Sequence, residues 1–434
     1  MSLPTGTDGS EYDLLTANPQ TYRLSSSRTK EFKHRIGEDG TDPTDSTSRP
    51  LNQHEYKVVG VLPDLASTAE SQYHSLKKPK TVLKLLLRTT LPTMAAPTSS
   101  IPATTRALFH NPQEDSLTRT TRPAPTPDLD ADEHLIRVHT TAPCAGELTW
   151  WKFGIPKAPL LHVPGQDVAG TIVLAPPTSS FKPGDAVYAR IPWSRPGAAQ
   201  EYTILLGSEI ALKPKNLDFV HAATVPMSAL TAWQLVFDQA GFKGPDDEAT
   251  RGKAVVVTAA SGNVGLWCVQ LARIAGFERI VGTYGGDADM EKLLREIGAT
   301  DLVDYKQSSL AEWVSRDPEH RKVDLVVDCF GRGALADAWN AVKDGGQLLS
   351  VCEPPESRKP ADCQAKDVTN RFFIMDAARG KDLARVTEFL ENGKCRAFLD
   401  SVYEFNDFEA AFERVEGRHA RGKTHHAMIM NLTF

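Results

Sequence analysis

The chain has 434 residues, with 49 Lys and Arg against 55 Asp and Glu and a net charge of −6. That mild balance argues against a nucleic-acid binder, and no apolar run approaches the roughly 20 residues needed to span a bilayer, so no membrane segment is expected. Six cysteines without paired spacing suggest neither a disulfide framework nor a structural zinc knuckle, and the N-terminus lacks a secretory start, so a cytoplasmic, reducing setting is the expectation.

Residues 1–103 are rich in Ser, Thr, Pro and charge, the composition of a disordered low-complexity extension. Within it Lys77–Leu91 is basic and apolar, which fits a marginal helix in that tail, a short amphipathic helix or an address segment. Ordered text begins after Met94, so a functional chain starting there is an expectation. Short strands then follow at Thr105–His110, His134–Thr141, Val168–Leu174, Ala186–Ile191 and Glu201–Leu205, separated by turn signals such as Pro164-Gly165, Pro183-Gly184-Asp185 and Pro196-Gly197. They predict a barrel-like β domain over 104–225. Helical pattern takes over at Phe219–Ala240 and leads into a second domain over 226–378. There, strands at Glu278–Tyr284, Asp301–Tyr305, Val323–Gly331 and Gly346–Val351 alternate with helices at Met290–Ile297 and Ala334–Val342, with Gly298 as a C-terminal cap. This α/β alternation predicts a doubly wound parallel sheet. Residues 379–434 read as a helix at Asp382–Asn392, strands at Phe398–Tyr403 and Met428–Leu432, and a helix at Phe408–Val415 between them.

The most informative stretch is AVVVTAASGNVG, residues 254–265. Val255, Val256 and Val257 suit a strand buried on both faces. Ala260, Ser261, Gly262, Asn263, Val264 and Gly265 then form a turn of small residues, with Ala260 where a first glycine is usual. Apolar spacing through Leu271 and Ile274 starts a helix. Strand, tight turn and helix let backbone N–H groups approach a pyrophosphate at the positive helix end. A tight turn with no ligand is the bland alternative.

With this context the chain resembles the medium-chain dehydrogenase/reductase superfamily, in its zinc-independent quinone-oxidoreductase-like (zeta-crystallin-like) branch. The resemblance spans residues 104–434. It rests on VPGQDVAG (163–170), FKPGDAVYAR (181–190), AATVPMSALTAWQ (222–234), AASGNVG (259–265), GATDLVDYK (298–306), VDLVVDCFG (323–331), GGQLLSV (345–351) and HARGK (419–423) in family order. It implies a GroES-like β-barrel domain with an inserted Rossmann domain, a C-terminal return to the β domain, and a nicotinamide cofactor between the two. Similar proteins are commonly dimers or tetramers through the Rossmann sheet edge, which makes a homodimer an expectation. Zinc-dependent members carry Cys-x-x-Asp, Gly-His-Glu and a lobe of four cysteines. Here Cys144-Ala-Gly-Glu147 keeps the cysteine, Gln166 replaces the histidine in Gly165-Gln166-Asp167, and the lobe is missing. No metal ligand and no zinc are therefore expected.

The second strand of the α/β sheet ends in Thr283-Tyr284-Gly285-Gly286, without the carboxylate that usually accepts a ribose 2′-OH. Asp287 close by is the main objection, so NADPH is favoured and NADH stays open. Lys292 one turn further, Tyr305, Phe330 and Lys423 complete the expected cofactor site by resemblance. Without metal, the hydride acceptor should be one whose negative charge is spread by conjugation, a quinone or an α,β-unsaturated carbonyl. Thr231 matches a position near the nicotinamide, and Trp150 lies in a loop (APCAGELTWWKFG) that lacks the Asn and Tyr common in such reductases. Those two residues are the catalytic candidates, with ordinary packing as the alternative for each, and Phe372 and Phe373 are candidate pocket walls. Two further readings stand beside the leading one: an enoyl reductase acting in trans on a biosynthetic thioester, and an NADPH-binding protein without catalysis.

Overall fold

The computed structural model describes residues 101–153, 162–245, 247–416 and 427–431, the last stretch as backbone. Residues 1–100 of the extension, Lys77–Leu91 and Met94 among them, and Lys423 lie outside them.

The chain opens with an antiparallel hairpin, β1 (Thr104–Asn111) and β2 (Ser116–Pro123). β1 alternates and buries Thr105, Ala107 and Leu108, whereas β2 has no buried face, which explains why apolar pattern predicts only the first strand. β3 (Glu133–Ala142), β4 (Asp167–Leu174), β5 (Ala186–Arg190), β6 (Tyr202–Leu206) and β7 (Ile210–Leu212) build the β domain. Its sheet runs β3-β4-β5-β7, all antiparallel. Gly170 in β4 is required there, because a Cβ would sit 2.3 Å from the Arg137 carbonyl oxygen of β3.

The single helix expected over Phe219–Ala240 is in fact three pieces. α1 (Phe219–Ala223) stops, α2 (Pro226–Trp233) restarts, and a π-helical turn (Gln234–Gln239) follows. Pro226 has no N–H to continue the first helix but suits the first position of the second.

The α/β layer comes next: β8 (Ala254–Val257), α3 (Asn263–Ala275), β9 (Arg279–Tyr284), α4 (Ala288–Ile297), β10 (Asp301–Asp304), α5 (Leu310–Ser315), α6 (Pro318–Arg321), β11 (Val323–Asp328), α7 (Arg332–Ala341), β12 (Val342–Ser350) and β13 (Thr369–Phe372). The six strands are all parallel in the order β10-β9-β8-β11-β12-β13. Val255–Val257 are buried, as are Trp267 of α3 on one face and Trp339 of α7 on the other. Trp339 satisfies its indole N–H on the Pro355 carbonyl at 2.9 Å. The short α5, α6 and β13 carry too little periodicity to be predicted.

α8 (Gly380–Glu391), β14 (Leu399–Glu404), α9 (Phe408–Glu416) and β15 (Ala427–Asn431) close the chain. β15 lies parallel to β14 and antiparallel to β3, so the last described residues enter the first domain's sheet. β6 and β15 share one edge of β3, against Glu133–Arg137 and Thr140–Thr141 respectively. The architecture is thus a GroES-like β domain with a Rossmann parallel sheet.

Candidate active site

In open parallel sheets ligands lie beyond the strand C-termini where strand order reverses, here between β8 and β11. The turn after β8 is shaped by backbone. Ala259 adopts φ +46°, its N–H donates to Thr283 Oγ1 at 2.9 Å, and the Ala260 N–H donates to the Thr283 carbonyl at 2.9 Å. Gly262 caps α3 without a side chain. The first intrahelical bond is Leu266 N–H to the Gly262 carbonyl, so the N–H groups of Asn263, Val264 and Gly265 have no acceptor within the helix. Gly265 cannot carry a Cβ, which would lie 2.3 Å from the Ala259 carbonyl oxygen. This is a cradle for an anion, and the pyrophosphate of a nicotinamide dinucleotide fits it.

The structure sorts the other expected residues. Thr283 is buried and braces the turn through both its hydroxyl and its carbonyl. Tyr284 is also buried, with its hydroxyl donating to Glu291 Oε2 at 3.0 Å, so it supports α4 from below. Lys292 is exposed on α4, and Tyr305 is 55% exposed just beyond β10, beside Gly285. Asp287, the residue that counted against NADPH, caps α4 by accepting from Met290 N–H at 3.0 Å. Asp304 is the carboxylate that stands beside Gly286, and Lys306 follows it. Phe330 is 52% exposed at the end of β11, while Phe372 is exposed on the edge strand and Phe373 packs on the core.

A buried residue that sequence reading did not single out joins these parts. Asp328 is fully buried at the tip of β11. Its oxygens accept from Thr258 Oγ1 at 2.7 Å, Ser350 Oγ at 2.8 Å, Gly331 N–H at 3.0 Å and Phe330 N–H at 3.3 Å. One side chain therefore ties together the ends of β8, β11 and β12 and fixes the loop bearing Phe330. The signal was in VDLVVDCFG, where a carboxylate interrupts an apolar strand at its end.

The other wall comes from the β domain. Glu147 is 3% exposed and accepts from Cys144 N–H at 3.0 Å and from Gly165 N–H. Asp167 is 6% exposed, and its Oδ1 accepts from Met227 N–H at 3.0 Å in the first turn of α2. Thr231, one turn on, donates its hydroxyl to the Met227 carbonyl at 2.7 Å. Trp150 is half-buried with its indole against Gly146, whose N–H donates to Glu416 at 3.0 Å. Arg190, 2% exposed, completes the group. Burial raises the Glu147 carboxyl to about 7 and the Asp167 carboxyl to about 8, and drives the Cys144 thiol well above its usual range. The Arg190 charge opposes all three shifts.

This donor set is a poor match for catalytic zinc. A zinc ligand must be deprotonated and have a lone pair to give. Here the thiol is held protonated, both Glu147 oxygens and one Asp167 oxygen are engaged by backbone N–H groups, the amide of Gln166 stands in for an imidazole, and a guanidinium already supplies positive charge.

A Rossmann turn with open backbone donors, linked through α2 to the β-domain group of Glu147, Asp167 and Arg190, is the arrangement of a nicotinamide-dependent oxidoreductase. Residues 130–214 match the alcohol dehydrogenase GroES-like domain family and residues 297–424 the zinc-binding dehydrogenase family. The chain is 54% identical over 329 residues to a probable zinc-binding oxidoreductase, mitochondrial, of Arthroderma benhamiae (76% of this chain, 98% of that one). It is 29% identical over 313 residues to an NADPH-dependent alkenal/one oxidoreductase, chloroplastic, of Arabidopsis thaliana (68% and 72%). A crystal structure of an NAD-dependent alcohol dehydrogenase superposes with a TM-score of 0.63 at 25% identity, covering 76% of this chain and all of that one. The chain belongs to the medium-chain dehydrogenase/reductase superfamily, in its quinone-oxidoreductase-like branch, and is an NAD(P)H-dependent oxidoreductase.

Proposed function

We propose that this protein is an NADPH-dependent, zinc-independent reductase of α,β-unsaturated carbonyls or quinones. The observation that carries the reading is the β-domain wall, whose carboxylates are already spent on backbone N–H groups beside a buried guanidinium. Such a wall does not supply a Lewis acid, so the acceptor must spread its own charge. The alkenal/one oxidoreductase relative is named for that substrate class.

When bound, the cofactor supplies a hydride from its nicotinamide. The backbone of Ala260–Gly265 would hold the pyrophosphate, and Lys292 and Tyr305 would hold the adenosine end, with Lys292 the charge for a 2′-phosphate. Phe330 would serve the nicotinamide end. Thr231 and Trp150 orient the acceptor and keep water out. The edge strand β13, with Phe372 and the 63%-exposed Ile374 beside it, is the surface through which we propose that a homodimer forms.

The test is oxidation of NADPH and NADH by the full chain with 1,4-naphthoquinone, 9,10-phenanthrenequinone and a medium-chain enone. Turnover with NADPH is expected, and Lys292→Ala should raise KM for NADPH about tenfold while leaving that for NADH unchanged, the loss of one charged contact. If NADPH raises the melting temperature but no acceptor turns over, a carrier-bound acyl substrate or a binding-only role replaces this reading.

A further inference from the structure

The backbone around Gln166 is held from several sides. The Gly165 N–H donates to Glu147, and the Gly165 carbonyl accepts from Ala198 N–H at 2.5 Å. The Gln166 carbonyl accepts from Ile191 N–H at 2.7 Å, and the Asp167 carbonyl accepts from Thr141 Oγ1 at 2.7 Å. Gly165 adopts φ +84°, and a Cβ there would lie 2.5 Å from Thr141 Oγ1, so the segment is pressed closely on β3.

The tip of Gln166 is the exception. The residue is 4% exposed, its Oε1 is sealed from solvent without a hydrogen-bond partner, and its Nε2 donates to no described residue. A buried amide left unpaired costs stability, so its presence calls for a cause outside folding.

Its neighbours in sequence hold the two catalytic candidates. Gly165 is tied through Glu147 to the loop bearing Trp150, and Asp167 is tied to Met227 N–H, one turn before Thr231 on α2. α2 packs in turn on α3, whose first turn is the anion cradle. Other polar groups there are committed. Thr231 gives its hydroxyl proton to the Met227 carbonyl, and both Glu147 oxygens and Asp167 Oδ1 receive backbone N–H groups. Reduction of a conjugated carbonyl builds negative charge on its oxygen, and a preplaced N–H aimed at that oxygen stabilises it. Gln166 has the fixed root and the uncommitted amide for this task. It also stands where the resemblance places a metal-binding histidine, the position from which a bound metal would polarise the same oxygen.

We propose that Gln166 is a catalytic residue, whose side-chain N–H donates to the carbonyl or quinone oxygen of the acceptor. The inference rests on the zinc-independent reductase reading above and supplies the donor that a loop without Asn or Tyr lacks. The acceptor takes a hydride from the reduced nicotinamide at a conjugated carbon, its π electrons shift towards the oxygen, and water delivers the proton that completes the product. The nicotinamide is left oxidised, and Gln166 keeps its own protons throughout.

The test is Gln166→Met in the full chain, which keeps length and burial but removes the donor. With NADPH and a medium-chain enone, kcat should fall about 100-fold while KM stays within about threefold and the Kd for NADPH within about twofold, the split expected when a contact matters mainly in the transition state. The melting temperature should hold or rise, because an unpaired polar atom has left the interior. Gln166→Asn, with an amide one methylene shorter, should lie between wild type and Gln166→Met in kcat. Should Gln166→Met not fold, the same kcat loss is expected in Gln166→Ala. Unchanged kcat in whichever variant folds, beside an active wild type, would overturn the role of Gln166 and leave the reductase standing. A wild type that turns over neither enone nor quinone would overturn both.

Discussion

The Rossmann and β-domain parts of the candidate site handle buried polarity in opposite ways. On the Rossmann side Asp328 meets hydroxyl and backbone donors from three strand ends. On the β-domain side Glu147, Asp167 and Arg190 share a pocket in which the Arg190 Nε and the Gln166 Oε1 have no partner and both carboxyls are pushed far up. A satisfied network rigidifies, whereas a partly satisfied one is responsive to charge and pH. The first suits a platform that must hold a large cofactor in one pose. The second suits the place where charge changes during the reaction.

The largest effect that could break this contrast is removal of the platform's centre. Asp328→Ala leaves the Thr258 and Ser350 hydroxyls and the Gly331 N–H without their acceptor, and should cost about 4 kcal/mol in urea unfolding, since each unsatisfied buried group costs about 1–3 kcal/mol. A loss below about 1 kcal/mol would mean that the platform is not organised by this residue. Gly265→Ala comes next. Its Cβ would collide with backbone at 2.3 Å, so a loss of about 2 kcal/mol is expected, together with weakened NADPH binding by fluorescence titration. Thr283→Val, which removes the acceptor of Ala259 N–H, should cost about 1 kcal/mol and weaken NADPH binding in proportion.

The smallest effect is one of pH, and it sharpens the picture of the β-domain side. Glu147 and Asp167 are raised in the folded state from 4.5 and 3.8 to about 7 and about 8. Groups raised on folding add stability that is complete below the unfolded value and lost as pH rises through the folded one. The half-buried His162 is lowered from 6.5 to about 4, so its contribution is present above 6.5 and lost as pH falls towards 4. Between pH 6.5 and 8 only the carboxyls titrate among these three. The melting temperature should therefore fall across that window in the wild type and stay flatter in Asp167→Asn. A melting temperature that rises from 6.5 to 8 would contradict the burial of neutral carboxyls.

The same contrast explains what could be read from the sequence. The cradle is a local object: strand, turn and helix start lie within residues 254–265, and small residues betray it directly. Strand alternation likewise exposed β3, β4, β5 and β6, whose inward faces are apolar. The β-domain node is non-local. Glu147 meets Gly165, Asp167 meets Arg190, and Gly146 meets Glu416 only because the sheet register and the C-terminal return bring them together. Nothing in the order of residues announces that. Asp287 is a converse case, a carboxylate after the second strand whose job as a helix cap is set by the fold. Tyr284, expected among the cofactor residues because it ends the second strand, packs with its hydroxyl on Glu291 of α4, a contact the strand pattern does not announce. The exposed β2 lacked any apolar face to reveal it.

The placement of β15 between β14 and β3 has a consequence for biogenesis. The six-stranded parallel sheet is encoded by one uninterrupted stretch, residues 254–372, in which even the widest pairing, β8 with β11 (Val255 with Leu325), closes well before the C-terminal strands are made. The β-domain sheet instead waits for Met430 and Asn431 to reach Thr141 and Thr140, nearly the whole folded length away. Until then the Thr140–Thr141 end of β3 is unpaired on the edge it shares with β6, an open template for the strands of other nascent chains. Vectorial synthesis thus leaves the first-made domain to be finished last, and a ribosome stalled short of residue 427 would release a chain with a completed nucleotide layer and an unsealed barrel.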